Sequence, residues 1–144
     1  MRAMPSPTIL VVDDNVNLAR GFAMVLTGVG YTAHMAHTAE DGLSMALAHR
    51  PDAIILDFDM PFVNGVGLLY RLRALPAIAH TPVLIVTGAL VNEEMRADLA
   101  DLGATIRFKP LGVSALLAEV EAVLASHREP APFGESNSSP NRAG

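Results

Sequence analysis

Five short apolar runs, each ending in polar residues and each followed by a stretch of helical spacing, leave this chain few folds to choose from. The runs are TILVV (8–12), YTAHMA (31–36), AIIL (53–56), PVLIV (82–86) and TIRF (105–108). The first, third and fourth are continuously apolar, as strands covered by helices on both faces must be. The second is more polar and the fifth is broken by Arg107, so these two are expected at the sheet edges.

The intervening stretches carry helical signals. Leu18, Phe22, Val25, Leu26 and Val29 form an apolar stripe that Gly28 and Gly30 end. Thr38 is an N-cap for a helix to about His49, with Glu40 and Asp41 favourably placed in its first turn. Leu43, Met45, Ala46 and Leu47 supply its apolar side. Helices are also predicted over 65–74, 93–102 and 113–127, the last with Leu116, Leu117, Val120, Val123 and Leu124 as its stripe. Five β–α units in this length predict an α/β fold, a parallel sheet wrapped by helices on both faces. The pattern stops after Arg128. We read residues 1–128 as one domain and 129–144, rich in Pro, Gly, Ser and Asn, as a disordered tail.

Composition narrows the function classes. With 51% hydrophobic and 17% charged residues the chain is globular. No apolar run approaches the roughly 18 residues of a membrane span, and the start lacks a secretory pattern, so a cytoplasmic protein is expected. The absence of cysteine excludes disulfides and thiolate metal sites. A net charge of −5 argues against nucleic-acid binding. Lys109 is the only lysine among ten basic residues.

In an open parallel sheet, ligands bind beyond the carboxyl ends of the strands. Strand one ends in Asp13-Asp14, strand three in Asp57, strand four in Thr87-Gly88 and strand five in Lys109-Pro110. Singly, each has a plainer reading: Asp13-Asp14 as helix-capping acid, Thr87 as a strand-end turn residue, Asp59 as a turn residue before Met-Pro. Together they deliver acid, acid, hydroxyl and amine to one edge. Clustered carboxylates repel one another and resist desolvation, and a hard divalent cation such as Mg²⁺ relieves both. Mg²⁺ and an ammonium would then suit a phosphoryl group, with one aspartate as nucleophile and the Thr87 hydroxyl as donor. The histidines are scattered; His34 and His37 are close in sequence but, one in a strand and one in a loop, make a poor metal pair.

In this order the motifs ILVVDDN, IILDFDMPFVNG, PVLIVTG and FKP resemble the receiver domain of two-component response regulators, over roughly residues 8–127. The resemblance implies a flavodoxin-like, doubly wound five-stranded sheet in order 2-1-3-4-5 with five helices. It implies that Asp57 accepts a phosphoryl group from a sensor histidine kinase or histidine phosphotransfer protein. It makes Asp14 a direct Mg²⁺ ligand and Asp13 a ligand largely through water, with Asp57 and the backbone carbonyl of Asp59 completing the metal site. Lys109 would hold the phosphoryl oxygens, Pro110 would follow a cis bond, and Thr87 would move toward the phosphate. Contacts to the donor are expected from Asn15, Val16, Leu18 and Leu111. Output to a protein target is expected through the fourth helix, fifth strand and fifth helix, about 90–96 and 113–121. The family usually has Tyr or Phe three residues before the lysine; here Ile106 stands there, so no aromatic switch is implied. Phe108 is expected in the core.

The expectation is therefore a stand-alone, stoichiometric phosphoacceptor with slow self-dephosphorylation, not an enzyme. The alternatives are a haloacid-dehalogenase-type phosphatase, suggested by the D-x-D of DFDMP, and a receiver-like binding module that does not use phosphate. The first lacks Thr or Val at Pro61 and leaves Asp13-Asp14 unexplained; the second leaves a full set of phosphate-site side chains unexplained.

Overall fold

The computed structural model describes residues 6–57, 65–88 and 91–128. In chain order the elements are β1 (Thr8–Val12), α1 (Val16–Gly28), β2 (Thr32–Ala36), α2 (Ala39–His49), β3 (Ala53–Asp57), α3 (Gly65–Ala74), a 3₁₀ turn at Pro76–Ile78, β4 (Val83–Thr87), α4 (Glu93–Asp101), β5 (Ala104–Phe108) and α5 (Val113–Arg128). All strand pairs are parallel and the sheet order is β2-β1-β3-β4-β5. The two less apolar runs are the edges, as their composition requires. The tail beyond residue 128 and Asp59 lie outside the described residues.

Strand alternation divides the core into two layers. Leu10, Val12, Ile54, Leu56, Val83 and Ile85 face α2, α3 and α4, where Leu43, Leu68, Leu69, Leu72 and Leu99 meet them. Ile9, Val11, Ile55, Leu84 and Val86 face α1 and α5, packing on Phe22, Leu26, Leu116, Val120 and Leu124. Burying each such aliphatic side chain contributes about 1.5–3 kcal/mol, which makes the three central strands the rigid frame for whatever lies at their ends.

The helix ends follow from local chemistry. Asn15, Thr38 and Asn92 each accept a main-chain N–H three residues on, satisfying a donor that the first turn leaves open. At the end of α1 the N–H groups of Gly30 and Tyr31 return to the carbonyls of Thr27 and Leu26, and Gly30 takes φ +104°, which a side chain would resist. Val29 is thereby the cap and is exposed, outside the stripe expected for it. Leu47 also faces solvent, because the buried stripe of α2 is the narrower Ala39, Gly42, Leu43, Ala46. Gly42 lets that helix approach β1: a Cβ there would lie 3.1 Å from a Val12 methyl.

Arg73 is a structural tie at the far end of the sheet. Its guanidinium donates to the carbonyls of Leu102 (2.8 Å), Thr81 (2.6 Å) and Ala79 (3.3 Å), joining α3 to the end of α4 and the entry to β4. Burial lowers its pKa from the ordinary guanidinium value. Among the described residues no helix is long and apolar enough to cross a membrane.

Candidate phosphoryl and metal site

Asp57 is the last residue of β3 and Thr87 the last of β4, so both are held by the ladder and not by a loop. Asp57 pairs with Val86, which places Thr87 one position beyond it on the neighbouring strand. Asp13 directly follows β1, and its N–H donates to the Ala36 carbonyl of β2 at 3.0 Å. Lys109 directly follows β5, and its N–H donates to the Thr87 carbonyl at 2.8 Å. The Lys109–Pro110 bond is cis. Four strand ends thus converge because the parallel sheet aligns their carboxyl termini.

The side chains meet as well. Lys109 Nζ lies 3.1 Å from Asp57 Oδ1 and 3.9 Å from Asp13 Oδ2. Carboxylate oxygens of Asp13, Asp14 and Asp57 all fall within 4.8 Å of one another. Asp13 and Asp57 are 2% and 4% exposed, and Thr87 is fully buried. Asp14 faces solvent. Desolvation pushes the Asp13 carboxyl up to about 6, and the neighbouring Asp57 adds to the rise; the N–H of Asn15 on Asp13 Oδ1 (2.9 Å) and the Lys109 ammonium only partly oppose it. One ammonium does not balance three carboxylates. An all-oxygen donor set with an exposed member, short of positive charge, fits a hard divalent cation that keeps part of its water shell. The residues present therefore suit Mg²⁺.

This strand-end constellation on a 2-1-3-4-5 sheet can be set beside known proteins. Residues 9–121 match the family model of the response regulator receiver domain. The chain belongs to that family. Over 117 residues this receiver domain is 36% identical to the response regulator ArlR of Staphylococcus aureus, an alignment covering 81% of this chain and 52% of that protein. It spans about half the length of the curated relatives it matches. Among solved structures, the Vibrio cholerae chemotaxis protein CheY4 superposes with a TM-score of 0.76 at 27% identity, covering 82% of this chain and 98% of that one. A putative response regulator from Chloroflexus aurantiacus superposes with a TM-score of 0.73 at 30% identity, covering 83% and 98%.

Other expected residues of the receiver fall in different places. Asp59 is outside the described residues. Ile106 is partly buried against the α2–α3–α4 layer. Phe108 has the same facing but is 44% exposed, not in the core. It ends an edge strand, and the Arg96 guanidinium lies over its ring, 5.7 Å from the centroid. His34 and His37 do not meet. His34 stacks on His49 with ring centroids 3.9 Å apart, and burial together with His49 lowers its pKa. His37 instead places Nδ1 2.9 Å from the Asp13 carbonyl oxygen. No local stretch predicts this contact; its signal is the register, which pairs Val12 with Ala36 and so sets the residue after β2 beside the residue after β1. A groove of about 760 Å³, lined by Arg73, Asp101, Arg107 and Glu119 among others, opens at the opposite end of β4 and β5, and none of the acid-site residues borders it.

Proposed function

We propose that this receiver domain is a Mg²⁺-dependent phosphoacceptor that takes a phosphoryl group onto Asp57 and switches a protein-binding surface. The observation that carries the reading is the buried Asp57 carboxylate with an ammonium 3.1 Å away and two further carboxylates beside it. A carboxylate oxygen of Asp57 attacks the phosphorus of a phosphohistidine on a sensor histidine kinase or histidine phosphotransfer protein. The P–N bond breaks, the imidazole nitrogen leaves with the bonding pair and takes up a proton, and an acyl phosphate remains. Lys109 balances charge on the transferring oxygens, and the Thr87 hydroxyl donates to one of them. Asp13, Asp14 and Asp57 would hold Mg²⁺, with the Asp59 carbonyl as a further ligand. When bound, Mg²⁺ neutralises phosphoryl oxygens that the acids would otherwise repel.

The protein is read as stoichiometric: one phosphoryl group per chain, lost by slow hydrolysis. Donor contacts are assigned to Asn15, Val16, Leu18 and Leu111 around the site. Output is assigned to α4, β5 and α5, where Phe108 and Val113 expose apolar surface. A cytoplasmic location, without nucleic-acid or membrane partners, goes with this reading. The match to 98% of the solved chains of CheY4 and of the Chloroflexus aurantiacus protein supports an ordered unit with the receiver fold.

The test is intact mass after incubation with a small phosphodonor, with and without Mg²⁺. One added phosphoryl group is expected, requiring Mg²⁺ and absent in Asp57→Ala. Modification that persists in Asp57→Ala would overturn the assignment.

A further inference from the structure

We infer that His37 is a positioning residue for the acid site, acting through the main chain of Asp13. The inference rests on the Mg²⁺ reading above and adds a residue to it. The β1–β2 ladder runs to Val12 opposite Ala36, and the Asp13 N–H continues it to the Ala36 carbonyl. In a parallel ladder the next bond would bring the Thr38 N–H to the Asp13 carbonyl. Among the described residues that bond is not formed: β2 ends at Ala36, and Thr38 caps α2, its hydroxyl accepting the Asp41 N–H. Among the described residues, the donor that reaches the Asp13 carbonyl is the His37 ring, at 2.9 Å.

A carbonyl oxygen only accepts, so Nδ1 carries the hydrogen and the neutral ring is the Nδ1–H tautomer. The imidazole stands in for a missing rung and carries the strand geometry one residue further. That residue matters because the Asp13 carbonyl belongs to the peptide joining Asp13 to Asp14. Asp13 is then held on three sides: its N–H by Ala36, its carboxylate by the Asn15 N–H, its carbonyl by His37. Asp14 is exposed, and the described residues show no hydrogen bond to its side chain. Its direction toward a metal is set mainly by the peptide that His37 holds. Groups one step behind the ligands govern affinity by this kind of orientation.

The test is Mg²⁺ affinity of the unphosphorylated protein by titration calorimetry, with far-UV circular dichroism to check folding. In His37→Leu the donor is gone, and Mg²⁺ binding is expected to weaken about tenfold, the low end for such supporting groups. In His37→Asn the amide nitrogen sits one bond from Cγ, as Nδ1 does, and affinity should return close to the native value. A folded His37→Leu that binds Mg²⁺ like the native chain would overturn the inference, as would equal weakening in both variants. Native protein that binds no Mg²⁺ would instead bring down the metal reading, and this inference with it. If His37→Leu does not fold, ¹H–¹⁵N NMR of the native ring decides: Nδ1 protonated supports the contact, and the Nε2–H tautomer overturns it.

Discussion

Replacing Asp13 by Asn should make the metal-free protein more stable, although Asp13 is one of the site's defining acids. Its carboxyl is raised from 3.8 to about 6 in the folded chain. Between about pH 4 and 6 the folded chain keeps a proton that the unfolded chain has released, so stability falls as pH rises through that window. A shift of about two units is worth at most about 3 kcal/mol above pH 6. Asn keeps the size of the side chain and an oxygen for the Asn15 N–H, but it gives up the attraction to Lys109 at 3.9 Å. The net gain should be about 1–2 kcal/mol above pH 6, or several degrees in Tm. Thermal and urea denaturation in the presence of a chelator, at pH 4.5 and 7.5, measure it. The variant's advantage should be small at the lower pH and full at the higher. Mg²⁺ should narrow or cancel the variant's advantage, since at ten times its Kd a ligand stabilises the native chain by about 1.4 kcal/mol, and the variant would bind it less well. An Asn variant no more stable than the native chain at pH 7.5 without Mg²⁺, or an advantage that does not grow with pH, would refute the reasoning.

Removing the cation instead of an acid should act in the opposite sense: Lys109→Met is expected to cost about 1–3 kcal/mol without Mg²⁺, less than a fully buried pair because Nζ is partly solvated, and urea midpoints with and without chelator check it. Arg73→Met leaves three carbonyls short of a donor and should cost about 2–4 kcal/mol at any Mg²⁺ concentration; an unchanged midpoint would mean that water replaces the guanidinium. The lowered pKa of His34 means that the unfolded chain takes up its proton first, so His34 costs stability as pH falls below 6.5. In His49→Ala the NMR titration of His34 should move upward; no movement would leave burial as the sole cause. Phe108→Ala should change stability by no more than about 1 kcal/mol, as befits an exposed ring under one guanidinium, and a larger loss by urea denaturation would contradict its surface position.

Much of the fold was legible because strands and helices write different periods into the chain. The runs 8–12 and 53–56 were recognisable without any partner, and so was Thr38 as the cap of α2, since caps and periodicity are local. Where structure departs from local pattern, a neighbour decides the outcome. Val29 and Leu47 fit a helical stripe by spacing, yet the cap geometry and the narrow α2–β1 contact leave both in water. Phe108 is apolar and correctly faced, but it ends an edge strand and is exposed.

The candidate site divides in the same way. Which residue types sit at which strand ends, Asp13 and Asp14, Asp57, Thr87 and the single lysine, is written locally in the chain, because strand termination is a short-range event. That Asp13 is buried while Asp14 beside it is exposed, that Lys109 closes on Asp57, and that His37 holds the Asp13 carbonyl follows from the assembled fold alone. Those facts depend on register between strands up to 52 residues apart. Register comes from the packing of two core layers at once, which no local stretch of the chain encodes.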